Sequence, residues 1–177
     1  MTDAEQKHTL AALKFDADLN SAVHKLTIDL GCGHSEAVYQ KGLLAMLRSM
    51  GYNCESERCV GVSIEDFAGV THVVSYMKID IIVHINDGVC VLELKCADRH
   101  EVSIKDQLRR YVTALKSEGV KVSLVFHVQF PKYCWRQGKD CVNDRKFCIK
   151  RMDINDLCAA TGVAGRKLPE PSASLET

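Results

Sequence analysis

The spacing of apolar residues in the first third of the chain predicts two helices. Between Leu19 and Leu30 apolar residues recur every three or four positions, which is typical of a helix with one buried face, and Gly31 follows as a stop signal. Ser35 can cap a second helix, which Gly51 ends, and its apolar residues are again spaced by four. Both helices should therefore pack one face against the rest of the domain.

From residue 52 to residue 95 the pattern changes to short runs rich in β-branched and apolar residues. The runs are CVGVSI (59–64), GVTHVVSYM (69–77), IDIIVHI (79–85) and VCVLELK (89–95), punctuated by the turn signals EDFAG and NDG. Closely spaced strands of this kind predict an antiparallel meander.

The second half of the chain predicts further helices and strands. Ser103, with Asp106 three residues later, resembles a capping box and opens a third helix that Gly119 ends. VKVSLVFHV predicts a buried strand, KFCIKRM an edge strand, and Asp153 the cap of a short helix in DINDLCAATG. This order of elements predicts an α+β or α/β fold in which helices flank a mixed central sheet.

Composition limits the class of protein. With 177 residues, 46% of them apolar, the chain has the size of one domain with a buried core, which we place at residues 1–163. Residues 164–177 combine proline, serine and charge without periodicity, so we predict a disordered tail. Because no apolar run approaches a spanning helix and the first ten residues lack a signal-peptide core, we expect an intracellular protein of the cytoplasm or nucleus, not secreted and without a membrane partner.

Charge and cysteine content further limit the kinds of partner and cofactor that the protein can have. Lysine plus arginine equals aspartate plus glutamate at 23 each, so any contact with nucleic acid must come from a local patch. The nine cysteines are an odd number without a sign of secretion, which favours reduced thiols. Cys134, Cys141 and Cys148 recur every seven residues, but the close pairs typical of iron–sulfur sites are absent, so no cluster is predicted.

Two opposite charges stand inside the otherwise apolar run VCVLELK. Glu93 and Lys95 share one face of the predicted strand, because strand side chains alternate. A two-residue turn at residues 87–88 would pair Ile82 with Glu93 and Asp80 with Lys95, and all three charges would share that face. A three-residue loop would separate Asp80 from Glu93, whereas a four-residue loop would set them directly opposite each other, so a shared face requires an even loop.

Carboxylates that share a half-buried face need a counter-charge. Lys95 can supply one, and a divalent cation such as Mg²⁺ or Mn²⁺ can supply more, since these ions take one or two carboxylates with water, a backbone carbonyl and substrate phosphate. The metal would acidify an attacking water, and Lys95 would position that water or stabilise the pentavalent transition state. Taken alone, the pattern is more typical of solvated or ion-paired strand residues than of a metal site.

Further motifs along the chain accompany these charged residues. GHSEAVY at 33–39, Asp80, ELK at 93–95 and QLRRY at 107–111 follow one another in an order and spacing that resemble the GxxExxY family. That family is assigned to the PD-(D/E)XK nuclease superfamily, which is also called restriction-endonuclease-like. The resemblance spans roughly residues 19 to 130 and implies a restriction-endonuclease-like core with metal-dependent nuclease activity.

The resemblance also implies a set of site residues: a helix-borne acid, two strand carboxylates, a catalytic lysine and the QxxxY element of RecB-type nucleases. In chain order these are Glu36, Asp80, Glu93, Lys95, Gln107 and Tyr111. The three acids, with the backbone carbonyl of Leu94, would hold the metal. Capping alone could account for Glu36, because the helix macrodipole favours an acid in a first turn. Only the joint pattern indicates a site.

The chain departs from the family pattern in three places, which bear on how a substrate is held. Lys78 stands where the family usually has an arginine, Ile104 replaces a histidine before the glutamine, and FHVQF around His127 replaces INFG. Lys78 keeps the charge but loses the planar fork, and we include it among the residues that bind nucleic acid.

A basic stretch between residues 132 and 151 is a second candidate for nucleic-acid contact. It has seven basic residues against two acidic ones, interleaved with aromatic side chains. Such a composition suits phosphate contacts with base stacking, although a solvated edge with Trp135 covering the core is an alternative. The residues predicted to bind nucleic acid here are Lys132, Trp135, Arg136, Arg145 and Lys146.

Two classes of function follow. The first is a nuclease that uses Mg²⁺ or Mn²⁺ on DNA rather than RNA, and the second is a non-catalytic module that binds nucleic acid or protein through the same fold. A pure scaffold does not need a buried cluster of like charges, whose desolvation is unfavourable, so the sequence favours the nuclease. The expected partner is nucleic acid. The sequence does not decide between a monomer and a homodimer.

Overall fold

The computed structural model of the chain describes residues 3–85, 88–96, 101–131 and 147–159. The predicted tail at 164–177 lies outside these ranges, and the extent of the single domain stays a prediction. Within the described ranges the elements are α1 (Asp3–Leu30), α2 (Glu36–Ser49), β1 (Asn53–Glu65), β2 (Thr71–Ile85), β3 (Gly88–Lys95), α3 (Glu101–Ser117), β4 (Val122–Gln129), β5 (Cys148–Arg151) and α4 (Ile154–Ala159).

The five strands form one mixed sheet in the order β1-β2-β3-β4-β5. Neighbouring strands are antiparallel except β3 and β4, which are parallel and are joined by α3 as a crossover. One apolar cluster packs α1 and α2 on one face of the sheet, and a second packs α3 and α4 on the other. The predicted α+β architecture, a mixed sheet with flanking helices, is confirmed.

The helix stops predicted from glycine are also confirmed. Gly31, Gly51 and Gly119 have φ values of 74°, 90° and 76°, a backbone region that side chains disfavour. Ser35 is the residue before α2, as predicted, but its side chain makes no capping hydrogen bond. None of the described helices combines the length and the apolar content that a membrane span requires.

Two helices begin earlier than the sequence predicted. The first, α1, begins at Asp3 rather than near Leu19, because Ala12 and Phe15 continue its buried stripe upstream. The third, α3, begins at Glu101, so Ser103 lies inside its first turn and the predicted capping box is wrong. Asp153 does cap α4, since its carboxylate accepts a hydrogen bond from the Asn155 N–H at 2.7 Å.

The strands of the meander are longer than their sequence runs. GVTHVVSYM and IDIIVHI are not two strands but one, β2, of 15 residues, and β1 begins at Asn53 rather than at residue 59. The two strands pair along almost their whole length, whereas β2 pairs with β3 only over residues 81–85. The outer part of the β1–β2 hairpin therefore extends past the other strands.

The register of β2 and β3 corrects the predicted turn. Ile85 pairs with Gly88, so residues 86 and 87 stand between the paired positions, and Ile82 faces Val91 rather than Glu93. The predicted pairing of Asp80 with Lys95 is therefore wrong. The loop is still even, and one further step of the same register sets Asp80 opposite Glu93.

The position of Gly88 accounts for the difference between the predicted turn at residues 87–88 and the observed turn at 86–87. It begins β3, where a Cβ atom would lie 2.7 Å from the carbonyl oxygen of Lys121. The next residue, Val89, donates its N–H to that same carbonyl at 2.9 Å. The glycine is thus required by the close approach of the chain before β4 and not by the turn.

Candidate active site

Glu93 and Lys95 are buried charges near the end of β3. Glu93 is 0% exposed and Lys95 5%. The Lys95 ammonium contacts Oε1 of Glu93, lies 3.5 Å from Oε1 of Glu36 in the first turn of α2, and donates to the Leu94 carbonyl at 2.8 Å. The structure thus brings together the predicted lysine and two of the three predicted acids.

Asp80 is held from two sides. Its Oδ2 accepts a hydrogen bond from the Leu94 N–H at 2.8 Å, which ties its carboxylate to β3. Its backbone carbonyl accepts a hydrogen bond from Nε2 of Gln40 on α2 at 2.7 Å. Gln40 was not identified from the sequence, although its position four residues after Glu36 places both on one helical face.

The QxxxY pair on α3 connects that helix to β2. Nε2 of Gln107 donates to the Tyr111 hydroxyl at 2.6 Å, and this hydroxyl donates to the Lys78 carbonyl at 2.7 Å, two residues before Asp80. Burial, followed by the charge of Glu93, raises the pKa of Tyr111, so the phenol keeps its proton. The pair therefore lies beside the acids as a neutral tie between α3 and β2.

Tyr39, the last residue of GHSEAVY, positions the helix that carries Glu36. It is fully buried, its ring stacks on Phe130 with 4.3 Å between centroids, and its hydroxyl donates to the Gly31 carbonyl at 2.6 Å. Phe130 in turn donates its N–H to the Lys95 carbonyl at 2.8 Å. This packing links α2 to the chain segment of the lysine, and nothing in the sequence indicated Phe130 as the partner.

Burial and mutual charge set the protonation of the site. Burial raises the pKa of Asp80, against the Leu94 N–H, which lowers it. Burial and then the charge of Asp80 raise the pKa of Glu93 from 4.5 to about 7, although Lys95 opposes the shift. Burial alone would lower the pKa of Lys95, but Glu93, Asp80 and Glu36 raise it, so Lys95 stays a cation.

The raised pKa of Glu93 predicts a pH-dependent stability in metal-free protein. Between pH 4.5 and about 7 the folded state keeps a proton that the unfolded chain has lost, so the free energy of unfolding falls as pH rises through this window, by at most about 3 kcal/mol. Asp80 acts in the same direction from its own lower starting value. Lys95 does not contribute here, because its raised pKa matters only above pH 10.5.

Urea unfolding at pH 5 and pH 8, with a chelator present, measures this effect. Glu93→Gln removes the titrating group while keeping its shape, so its stability should change less between the two pH values than that of the parent. Equal pH dependence in both proteins would contradict the assignment of the buried charge to Glu93.

The donor atoms fit a hard divalent cation. Both carboxylate oxygens of Glu93 are buried; Oε1 contacts the Lys95 ammonium, whereas Oε2 accepts no hydrogen bond from the residues that the structure describes. A buried oxygen of this kind favours a cation as partner, and magnesium needs only one or two carboxylates beside carbonyl and water oxygens. Asp80, Glu93 and the Leu94 carbonyl are a set of this kind.

Glu36, the third predicted metal ligand, lies beside Lys95 in this arrangement. Among the described residues no group of three or more histidine, cysteine, aspartate or glutamate side chains is placed to hold a metal ion. Lys95 lies between Glu93 and Glu36 and contacts both. The predicted role of Glu36 as a metal ligand therefore stays a prediction, and its observed partner is the lysine.

The residues predicted to bind nucleic acid are described only in part. Lys78 is exposed, and its ammonium lies 3.3 Å from Oε2 of Glu57. Ile104, which replaces the family histidine, is buried in the cluster of α3 and α4. His127 on β4 is also buried and lies opposite Glu93 in the parallel pair of β3 and β4. The basic-stretch residues that lie outside the described ranges, and so stay predictions, are Lys132, Trp135, Arg136, Arg145 and Lys146.

Comparison with known proteins agrees with this arrangement of strands and charges. A family model described as the PD-(D/E)XK nuclease superfamily matches residues 15–137, which include Asp80, Glu93 and Lys95 together with α3. No curated protein matches the chain significantly. The mixed five-stranded sheet with helices on both faces is consistent with the restriction-endonuclease-like fold of that superfamily. Because the match covers more than half of its residues, this chain belongs to the PD-(D/E)XK nuclease superfamily.

Proposed function

We propose that this chain is a divalent-metal-dependent nuclease of the GxxExxY type that hydrolyses phosphodiester bonds of DNA. The observation that carries the proposal is the buried Lys95 ammonium, in contact with Glu93 and 3.5 Å from the half-exposed Glu36. Asp80 lies across the same strand pair, bonded to the Leu94 N–H. The superfamily of the chain makes a nucleic acid the expected substrate.

The energetics support a catalytic use of these charges. Removing the Glu93 carboxylate and the Lys95 ammonium from water is unfavourable by several kcal/mol for each ion, and apolar residues of similar volume would stabilise the sheet as well or better. The raised pKa of Glu93 indicates that Lys95 does not fully compensate for burial. An arrangement that lowers stability in this way is typical of active sites.

Each residue of the candidate active site would have a distinct role in catalysis. Lys95, kept protonated by its neighbours, would hold the attacking water or stabilise negative charge on the phosphate in the transition state. Magnesium or manganese, held by Asp80, Glu93 and the Leu94 carbonyl with Glu36 alongside, would supply positive charge toward the phosphate and acidify water.

The remaining residues would keep this geometry fixed. Gln40 holds the backbone at Asp80 from α2, while Gln107 and Tyr111 hold β2 from α3. Such positioning matters because small displacements of reacting groups lower rates strongly. The preference for DNA over RNA rests on the resemblance to restriction-endonuclease-like proteins.

A cleavage assay tests the proposal. The purified chain is incubated with single- and double-stranded DNA and RNA, in Mg²⁺, in Mn²⁺ or with a chelator, and binding of each substrate is measured in parallel. We expect metal-dependent cleavage of DNA that Asp80→Ala loses. Calorimetric titration with Mn²⁺ gives a second readout, in which Asp80→Ala should bind the metal more weakly than the parent.

A matched control and two other outcomes complete the test. Asp29→Ala removes an exposed acid that is paired with Lys25 on α1, so it should cleave like the parent. A parent protein that binds nucleic acid in every metal but never cuts would identify the alternative, a non-catalytic interaction module. Cleavage that persists in the chelator would contradict the metal dependence.

A further inference from the structure

A groove with a volume of about 570 Å³ lies between α3, β5 and α4, and we call it the α3–β5 groove. Basic residues from two elements far apart in sequence line it, Lys105 and Arg109 from α3 and Lys150 from β5. Met152 and Leu157 add apolar surface. Cations beside apolar surface suit a ligand that joins phosphates to less polar groups, as a nucleic-acid strand does.

The register of the sheet places the α3–β5 groove beside the candidate active site. Lys150 lies opposite His127 on β4, and His127 lies opposite Glu93 on β3. Residues that lie opposite each other extend their side chains from the same face, here the face that packs against α3. Two strand spacings of about 4.8 Å separate Lys150 from Glu93, which is on the order of 10 Å. Because the charges of one DNA strand are spaced by about 3.4 Å along the axis, this distance spans roughly three nucleotides.

The two arginines of the groove are engaged within the fold. Nε of Arg109 donates to the Leu157 carbonyl at 3.2 Å, and its Nη1 donates to Oδ1 of Asp106 at 3.0 Å, so Arg109 holds α4 against α3. Arg151 also lines the groove, but its guanidinium lies 3.3 Å from Oδ2 of Asp16 on α1, across the sheet. The lysines are therefore the cations that can turn toward a ligand.

The charges around these lysines favour an anion. Lys105 and Lys150 are both exposed, and Lys105 stands four residues before Arg109, a spacing at which like charges destabilise a helix. The two acids of the groove belong to the start of α4. Asp153 caps that helix, and Asp156 lies in its first turn, where the helix dipole favours an acid. A bound anion would relieve the repulsion among the cations.

We propose that the α3–β5 groove binds the phosphodiester backbone of the strand that the active site cuts, with one phosphate at Lys105 and another at Lys150. This inference rests on the proposed nuclease function, to which it adds a second set of substrate contacts. Lys150 belongs to the basic stretch at 132–151, whereas Lys105 lies outside it, so only the fold pairs the two. Contacts of this kind position a strand without reading its sequence.

DNA binding by the full chain in a chelator tests the groove without cleavage. The double variant Lys105→Gln, Lys150→Gln should bind DNA roughly tenfold or more weakly, similarly across sequences, and the slope of log affinity against log salt should flatten by about two. The matched control is Lys14→Gln, Lys25→Gln, which removes the same charge from two exposed lysines of α1 on the other face of the sheet. This control should bind like the parent, and both variants should match its circular dichroism.

Single-turnover cleavage in Mg²⁺ separates this groove from the proposed function. The groove variant should need roughly tenfold more protein to reach half of its maximal rate, while the maximal rate stays that of the parent, because an anchor away from the reacting atoms binds ground state and transition state alike. If the parent cuts DNA and the groove variant reaches half of its maximal rate at the same concentration, the groove is overturned and the nuclease stands. A parent that neither binds nor cuts DNA overturns both.

Lysine acetylation, measured by mass spectrometry, locates the contact independently of any substitution. Bound DNA should slow the modification of Lys105 and Lys150 and leave that of Lys14 and Lys25 unchanged. Equal protection by inorganic phosphate at the same concentration of phosphate groups would identify a site for a single anion rather than for a strand, and would overturn the proposal. Unchanged modification of both groove lysines in the DNA complex would overturn it as well.

Discussion

Replacing Lys95 with alanine is expected to lower the rate of DNA cleavage by at least about 100-fold while changing DNA affinity by no more than roughly twofold. Lys95 is buried within the acid cluster and its pKa is raised, so its cation is available to the reacting phosphate rather than to the DNA surface. A group of this kind acts on the transition state more than on the bound ground state. Single-turnover cleavage and equilibrium binding on the same duplex separate the two effects.

Two variants control for charge and for shape. Lys41→Ala removes an exposed lysine from α2 and should leave the rate unchanged. Lys95→Arg keeps the charge, but the planar guanidinium cannot occupy the position of the compact ammonium between Glu93 and Glu36, so activity should stay low. Equal losses of cleavage and binding in Lys95→Ala would instead identify the lysine as a simple phosphate anchor.

Tyr39→Ala is expected to lower the free energy of unfolding by about 3–5 kcal/mol, since it removes a fully buried ring and leaves a cavity. The ring stacks on Phe130, whose N–H is bonded to the Lys95 carbonyl. Loss of the ring should therefore also release α2 and displace Glu36 from the lysine. Urea unfolding measures the first effect, and cleavage at a temperature where the variant is folded measures the second.

Tyr39→Phe is the matched control for this prediction. It keeps the stacking ring and removes only the hydrogen bond to the Gly31 carbonyl, so it should cost about 1 kcal/mol and retain most activity. If Tyr39→Phe lost activity as completely as Tyr39→Ala while remaining folded, the hydroxyl would have a direct part in the reaction. The packing role argued for Tyr39 would then be wrong.

Local sequence rules identified most elements of the fold. Apolar periodicity located the helices, and the glycines that end three of them have the positive φ that the rule assumes. These rules work because helix stops and helix faces depend on neighbours in sequence. They failed at Ser103, which lies inside α3, and at the start of α1, where the buried Ala12 and Phe15 continue the helix beyond its strongest local signal.

The sequence by itself determined which charged side chains lie on the same face of the sheet. Strand alternation puts Glu93 and Lys95 on one face whatever the rest of the chain does, and an even loop adds Asp80 to it. The resemblance to the GxxExxY family implied that Glu36 and Gln107, on two helices, belong to the same site. The shared strand face alone follows from the periodicity of the backbone, so it can be read without a structure.

Only the tertiary structure decided how these charges meet. The register of β2 and β3 depends on the fit of Gly88 against the Lys121 carbonyl, a contact between residues far apart in sequence. Likewise, the raised pKa of Glu93 depends on its complete burial beneath α3, and the link from Gln40 to Asp80 depends on the packing of α2. Desolvation and long-range hydrogen bonds arise only when distant segments exclude water together, so no local pattern could have predicted them.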